Sequence, residues 1–461
     1  MKRMTLIATL TVLVLMAAPG WSFALDLKEC LDRGMANSDR VKAALAGWDQ
    51  ARMQRYASPL NFLPTLSAQG SKTWLDVHST MPETSVSLPA GLPAEQAQLL
   101  GAIFGAMDFS SLTAVPDHND DLTLSAYQPL TQLPQIAFYD KVASDSTELA
   151  HLSYEVTKDQ TVLYLASQYF GVLLARDRTR ALQRALEQVE RLKHDAENMM
   201  QQGMITKADL LKFQMRYSEV EMQLLQARND EAVAKSHLAL LLDLPIEKIE
   251  CAETEIAPSA LKEMSWYQET GQKDRRELRM VGLQEGIAGA TRNAAYLSLL
   301  PQVGAIASAN WNEDGLDTTP DRTYAAGFAL SWNFWGWGGD VLKARAAGYA
   351  REKAIFEANA TRIDLRVSIE KAWRDATVAR QVVKTYRETL DQAEENFRIE
   401  NNRYQIGKST AADLLGAQTQ LTAADTGYKA ALYNVALADA NLEASIGHRP
   451  FSQLTGESDH E

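Results

Sequence analysis

Apolar residues recur in steps of three and four along several long stretches of the chain, which is the spacing of one face of an α-helix. Two proline-free stretches, Phe138–Met200 and Asp340–Gln405, each predict a single helix of about 65 residues, or about 100 Å. A glycine follows each of these helices. A second helix about half as long is predicted after that glycine, at Thr206–Leu242 and Thr410–Ile446.

These two half-length helices carry a heptad seam of apolar residues, which is typical of helices that pack as a coiled coil. Two further half-length helices are predicted at Leu27–Ser58 and Ser265–Ser298. Two half-length helices placed end to end equal the height of one long helix, which predicts a rod of helices. The seam positions are Leu210, Phe213, Tyr217, Val220, Leu224, Ala227, Ala234, Leu238 and Leu241 in one helix, and Leu414, Ala417, Leu421, Ala424, Tyr428, Ala431, Val435, Ala438 and Leu442 in the other.

Between the helices lie four stretches of about ten residues in which apolar and polar residues alternate, as in a β-strand. One such stretch also fits a soluble sandwich, but four in two matching pairs with aromatic ends predict transmembrane strands. Because four strands cannot close a barrel, for which about eight are needed, we expect an oligomer that pools strands. The apolar faces are Leu66, Ala68, Gly70 and Trp74; Leu122, Leu124 and Ala126; Val303, Ala305, Ala307, Ala309 and Trp311; and Tyr324, Ala326, Phe328, Leu330, Trp332 and Phe334. The aromatic residues expected at the membrane interface are Trp74, Trp311, Trp332, Trp335 and Trp337.

The chain contains an internal duplication of a unit about 200 residues long. The stretch Gly203–Leu211 returns 204 residues later as Gly407–Leu415, and Asn61–Trp74 is echoed 237 residues later by Ser298–Trp311. These spacings far exceed the roughly 20–50 residues of solenoid repeats. The predicted organisation is a signal sequence at 1–24, a first repeat at 25–245 with an insert at 75–121, a linker at 246–264, a second repeat at 265–447 and a tail at 448–461.

The first 24 residues predict a cleavable export signal. Lys2 and Arg3 precede an apolar run from Leu6 to Ala18, and Ser22-Phe23-Ala24 fits the small-residue pattern of a cleavage site. The formal net charge is −13, and it becomes −15 without the two basic residues of the signal, which argues against nucleic-acid binding.

The two cysteines, Cys30 and Cys251, both follow the predicted cleavage site and would enter an oxidising compartment. They lie near the start of the first repeat and in the linker before the second, positions that the duplication can bring together. A disulfide bond between them and a pair of free thiols are equally compatible with the sequence.

The insert at 75–121 is much longer than its counterpart in the second repeat, Asn312–Thr323. It contains several prolines around an apolar patch, Leu99–Phe104. A tolerated surface insertion is the favoured interpretation, and a short helix over a pore mouth is the alternative.

The duplicated unit, the leucine–proline entry into the first strand of each copy, the Trp335–Gly339 exit from the last strand and the repeated Gly-x-x-Thr-x-x-Asp-Leu-Leu phrase together resemble the TolC-type outer-membrane efflux and secretion channels. The resemblance covers the chain from Leu27 to about Gly447. It implies an α plus transmembrane β fold, in which long coiled-coil-like helices form a periplasmic tunnel. It also implies a homotrimer with a 12-stranded barrel in outer-membrane lipid, joined through a periplasmic adaptor (membrane fusion) protein to an inner-membrane transporter.

The resemblance places the repeated phrase at the periplasmic tip of the tunnel. Asp413, with Asp209 as its partner in the first copy, matches an acidic ring at the pore constriction. Carboxylates from three chains would make the constriction negative and favour cations. The alternative is that each aspartate only stabilises a helix N-terminus. The residues expected at the tip gate or at the adaptor contact are Gly203, Gly407, Tyr404, Lys408, Thr206 and Thr410.

No motif for catalysis or for a cofactor stands out in the sequence. The seven histidines lack the spacing of HExxH-type metal sites, and no Gly-x-Ser-x-Gly nucleophile motif is present. We therefore expect a passive channel, the exit duct of a tripartite efflux pump or a type I secretion system, with no enzyme activity and no cofactor. The alternative is a soluble periplasmic coiled-coil adaptor or scaffold, which would stay soluble without detergent.

Overall fold

The computed structural model describes residues 25–74, 118–254, 260–313 and 322–451, together with positions 98, 102 and 256. The predicted signal sequence at 1–24, most of the insert at 75–121 with its apolar patch, and most of the tail at 448–461 lie outside these residues. Among the described residues, no helix combines the length and apolarity needed to cross a membrane.

The order of elements confirms the duplicated helix and strand pattern. The two longest helices have 69 and 67 residues, and each is followed by a helix of 36 or 35 residues. The elements are α1 Leu27–Asn37, α2 Asp39–Ala57, β1 Thr65–Trp74, β2 His118–Pro129, α3 Leu133–Gln201, α4 Lys207–Leu242, α5 Met264–Asp274, α6 Arg276–Leu297, β3 Gln302–Glu313, β4 Arg322–Ser331, α7 Gly339–Gln405 and α8 Ala411–Ser445.

In each repeat, the single helix predicted before the first strand is in fact two helices. The breaks are at Ser38 and Arg275, whose extended backbones have ψ of 111° and 117°. The Ser38 hydroxyl accepts a hydrogen bond from the Val41 amide (3.4 Å), and the Arg275 guanidinium donates to the Leu365 carbonyl (3.0 Å). These residues lie 237 residues apart, the spacing of the strand echo. The duplication therefore extends to the breaks, although neither contains glycine or proline.

The chain folds into two compact units, and each copy of the repeat contributes to both. The first comprises the chain up to Trp48, Leu149–Gly282 and the chain from Ala358 onward. Its largest core cluster packs α1 and α4 against α3 around Tyr169, which is fully buried. The predicted seams are confirmed at most of their positions, of which the buried ones are Leu210, Phe213, Val220, Leu224, Ala227, Leu238, Leu414, Ala417, Ala424, Ala431, Val435 and Leu442.

The second unit, Asp49–Glu148 and Leu283–Glu357, contains a four-stranded antiparallel sheet in the order β1-β2-β3-β4. The register aligns the predicted apolar residues across all four strands, as in the row Leu66, Ala126, Ala307 and Ala326. The next row, on the other face, is Ser67, Ser125, Ser308 and Ala325.

The prediction that alternation continues along the last strand to Phe334 is wrong, because β4 ends at Ser331. The Trp332 indole N–H donates to the Leu299 carbonyl (3.3 Å), which turns this side chain back toward the entry to β3. Trp332 and Phe334 therefore belong to the turn that leads into α7.

Candidate functional site: the two helix-hairpin turns

The repeated glycine closes the long helix of each hairpin. Gly407 has φ of 72°, and its amide donates to the Tyr404 carbonyl (2.9 Å) while the Lys408 amide donates to the Arg403 carbonyl (2.8 Å). Gly203 has φ of 76° and makes the same pair of bonds. This is a Schellman motif, which needs a left-handed residue after the helix and therefore favours glycine.

The threonine and the aspartate of the repeated phrase begin the next helix. The Thr410 hydroxyl oxygen accepts from the Asp413 amide (3.2 Å) and donates to the Asp413 carboxylate (2.7 Å). That carboxylate also accepts a long bond from the Thr410 amide (3.4 Å), which completes a capping box. Thr206 and Asp209 repeat the two hydroxyl bonds. The repeated phrase therefore specifies a complete helix-to-helix turn.

The two aspartates differ in their charge environment. Hydrogen bonding from the Thr410 hydroxyl lowers the pKa of Asp413 below its usual value. Bonds from Thr206 and then Lys212 lower the pKa of Asp209, and the Lys212 ammonium lies 3.0 Å from its carboxylate. In the second turn the residue equivalent to Lys212 is Gly416, so Asp413 lacks that lysine partner. Both carboxylates are therefore ionised at neutral pH, and Asp413 is the less neutralised of the two.

An apolar cluster behind the turns joins the two hairpins. The aromatic ring of Tyr404 on α7 packs against Phe213 on α4, and Leu210 and Leu414 lie in the same cluster. Tyr404, predicted at the gate, is thus buried within its own chain. Among the described residues its hydroxyl has no hydrogen-bond partner. Burial raises its pKa, and the nearby Asp209 and Asp195 raise it further.

A polar contact next to this cluster could not be recognised in the sequence. Gln418 on α8 is completely buried, and its side-chain oxygen accepts from the Arg216 guanidinium on α4 (3.2 Å). Its amide nitrogen donates to the Thr422 hydroxyl (3.0 Å). The Arg403 guanidinium donates a hydrogen bond to the backbone carbonyl of Lys408 (3.3 Å). The Arg216–Gln418 bond therefore links the two hairpins near their turns, and the other two bonds lie within the second hairpin.

The predicted interface aromatics lie in the second unit, at both ends of the sheet. Trp74 and Trp311 lie near one end, where the Lys72 ammonium pairs with Asp120 (2.6 Å). Trp332, Trp335 and Trp337 follow β4 at the other end and are 55, 68 and 88% exposed. Along β3, the eight steps from Val303 to Trp311 rise about 26 Å.

Cys30 and Cys251 lie in the same buried cluster of the first unit, and no bond joins them in this structure. Within the described part of the chain, no three histidine, cysteine or carboxylate residues are grouped as a metal ion would require.

Comparison with known proteins connects this fold to one family. The model of the outer membrane efflux protein family matches residues 267–448. The alkaline protease secretion protein AprF of Pseudomonas aeruginosa is 21% identical over 438 residues, which cover 92% of this chain and 85% of that protein.

Solved structures share the fold over nearly the whole chain. The Campylobacter jejuni CmeC outer membrane channel has a TM-score of 0.74 at 16% identity, covering 91% of this chain and 85% of CmeC. The outer membrane protein VceC of Vibrio cholerae has a TM-score of 0.73 at 16% identity, covering 92% of this chain and 96% of VceC. Over residues 267–448 the chain thus matches the outer membrane efflux protein family, and over nearly its whole length it shares the fold of solved outer membrane proteins.

Proposed function

We propose that three copies of this chain form an outer membrane channel that continues as a helical duct through the periplasm. A periplasmic adaptor connects the duct to an inner-membrane transporter, and the channel passively conducts what that transporter delivers. The observation that carries this proposal is the four-stranded sheet, whose strands β1 and β4 lie at open edges.

An open sheet edge exposes backbone N–H and C=O groups that a bilayer cannot satisfy. Four strands are too few to close on themselves, but three copies supply 12 strands, more than the roughly eight that a small barrel needs. The apolar face of the sheet would then contact lipid. At the strand tilt of about 40° found in such barrels, the roughly 26 Å along β3 between the aromatic ends spans about 20 Å of the membrane normal, which is somewhat less than their apolar band of about 25 Å. Trp74 and Trp311 would mark one interface, and Trp332, Trp335 and Trp337 the other.

Exposed apolar residues on two helices also favour an assembly. In α7 the exposed residues Leu342, Tyr349, Phe356 and Ile363 recur every seven residues. Large exposed apolar residues at heptad spacing are typical of helices that pack against further helices. In α4 the exposed residues are Leu211, Met215, Met222, Leu225, Val233 and Leu240.

The ionised Asp413 carboxylates of three chains would form a negative ring at the duct entrance, with Asp209 contributing less because Lys212 neutralises it. The turns at Gly203 and Gly407, with Thr206, Thr410 and Lys408, would contact the adaptor. Both efflux and secretion fit this duct. The secretion relative AprF supports the exit role, while substrate choice would belong to the transporter.

The test is reconstitution of the detergent-purified protein in planar bilayers under a salt gradient. We expect trimers by native mass spectrometry and cation-preferring channels. Asp413→Asn removes the charge but keeps an amide oxygen that can cap the helix, so the cation preference should fall. Asp209→Asn is the matched control and should change the preference less.

A monomeric protein that stays soluble without detergent would favour the adaptor alternative and overturn the proposal. Channels whose ion preference is the same in Asp413→Asn and wild type would remove Asp413 from the constriction and leave the duct intact.

A further inference from the structure

The two cysteines of the chain are close in the fold although 221 residues separate them in sequence. Cys30 is completely buried and Cys251 is 3% exposed, and both belong to the cluster around Tyr169. No other cysteine is present in the sequence, so each has one candidate partner within the chain.

Backbone pairing places the segment that leads into α1, the helix of Cys30, next to Cys251. Leu25 forms a parallel β-bridge with Cys251, with the Leu25 amide donating to the Glu250 carbonyl (2.6 Å) and the Ala252 amide donating to the Leu25 carbonyl (2.9 Å). Asp26 caps α1, and the Cys30 amide donates to the Asp26 carbonyl (2.9 Å) in the first turn. Cys30 therefore lies one helical turn beyond Asp26, which directly follows the residue paired with Cys251.

Two side chains of α3 hold this junction in place. The Tyr169 hydroxyl lies 3.0 Å from the Leu25 carbonyl and 2.8 Å from the Ala252 carbonyl, so it can donate to either segment. The Arg176 guanidinium donates to the carbonyl of Cys251 itself (2.6 Å). The linker and the segment that begins at Leu25 are therefore fixed against the same helix.

We propose that Cys30 and Cys251 form a disulfide bond in the exported protein, joining the start of α1 to the linker between the two repeats. The oxidant is the disulfide of a thiol–disulfide oxidoreductase in the periplasm. One cysteine thiolate attacks that disulfide to form a mixed disulfide, and the second displaces the oxidoreductase. Two electrons and two protons pass to the oxidant, which leaves as a dithiol.

The burial of the Cys30 and Cys251 side chains determines when this reaction can take place. It raises the pKa of Cys30 to about 12 and that of Cys251 to about 11, so the folded protein holds almost no thiolate. The bond therefore forms before the junction is buried. Afterwards both sulfurs are shielded from reductants, so the bond is structural and not a reversible switch.

The test counts free thiols in the full-length protein purified from outer membranes. Cells are quenched with acid, and the protein is denatured and treated with a maleimide of high mass. We expect no adducts without reductant and two after reduction, the reduced sample serving as the assay control. Cys30→Ser and Cys251→Ser should each give one adduct without reductant.

Two adducts in the unreduced wild type would overturn the proposal. It would also fail if the unreduced protein ran as a covalent dimer, or if either single variant gave no adduct, because the bond would then be made to another molecule.

Discussion

The rings of Phe213 and Tyr404 meet edge to face with their centroids 5.6 Å apart, and they join the two helical hairpins close to their turns. Phe213 is completely buried and Tyr404 is 7% exposed. The position equivalent to Tyr404 in the first repeat is Met200, which only borders the same cluster. The reciprocal positions, Met200 and Ala417, carry no aromatic ring, so this contact between the repeats occurs once, and it holds the two turns together within one chain.

Truncating this contact should loosen the turns. Tyr404→Ala removes a buried ring, and we expect it to lower the free energy of unfolding by about 3–5 kcal/mol, the usual range for aromatic-to-alanine changes in cores. Tyr404→Phe keeps the ring and removes a buried hydroxyl without a hydrogen-bond partner among the described residues, so it should be neutral or slightly stabilising. Denaturant unfolding in detergent measures both.

The phenylalanine variant is the control in this pair. If Tyr404→Phe destabilised the protein as much as Tyr404→Ala, the hydroxyl would have a partner in the assembled channel. Such a result would support the gate contact expected for Tyr404 from the sequence.

The sequence predicted the elements whose signal is periodic. The seam through Phe213 and Val220 and the alternation through Leu66 and Ala68 survive in the fold because helix and strand geometry repeat along the chain. The turns were also predictable, because the left-handed backbone that ends each long helix favours glycine, and the repeated phrase begins with Gly203 or Gly407.

Features set by single tertiary contacts were not predictable. The break at Arg275 depends on carbonyl and hydroxyl partners about 90 residues away, and the buried Gln418 depends on Arg216, 202 residues away. Neither contact leaves a local pattern in the sequence.

The helix caps at the turns should be measurable by hydrogen exchange. Thr410→Ala removes the hydroxyl that accepts from the Asp413 amide, and we expect local opening at the start of α8 to become easier by about 1 kcal/mol. Thr410→Ser retains a capping hydroxyl and is the matched control. Equal exchange rates in wild type and Thr410→Ala would show that the adjacent backbone bonds alone hold this turn.

Asp159 should make stability depend on pH. It lies on α3, 9% exposed, with the Arg276 guanidinium 2.7 Å and the Arg449 guanidinium 3.6 Å away. Burial raises its pKa to about 6, an effect larger than the lowering by the two arginines, while Glu155 raises it and Lys158 lowers it.

Because the native pKa of Asp159 exceeds the unfolded value of about 3.9, the native state binds the proton more tightly. The resulting stabilisation is present below about pH 4 and is lost as the pH rises through about 6, a change of up to about 3 kcal/mol. Asp159→Asn cannot titrate at this position. The stability of wild type relative to Asp159→Asn should therefore fall between about pH 4 and 7 in denaturant unfolding. A rise over the same interval would mean that the ion pair with Arg276 outweighs burial.

Trp337 combines backbone strain with exposure, which predicts two separable effects of its replacement. Its φ is 53°, in the left-handed region, and its side chain is 88% exposed beside Trp335, with 6.0 Å between ring centroids. A non-glycine residue in this region costs about 1–2 kcal/mol. Trp337→Gly should relieve that strain, whereas Trp337→Ala keeps it, so the glycine variant should be the more stable of the two by about 1 kcal/mol in the same detergent.

Both Trp337 variants lose the indole that would anchor the turn at the membrane interface, so quenching of tryptophan fluorescence by brominated lipids should fall equally in the two variants. Equal stability of the two variants would show that the backbone leaves the left-handed region when the indole is removed. Unchanged quenching in both would place Trp337 away from the lipid.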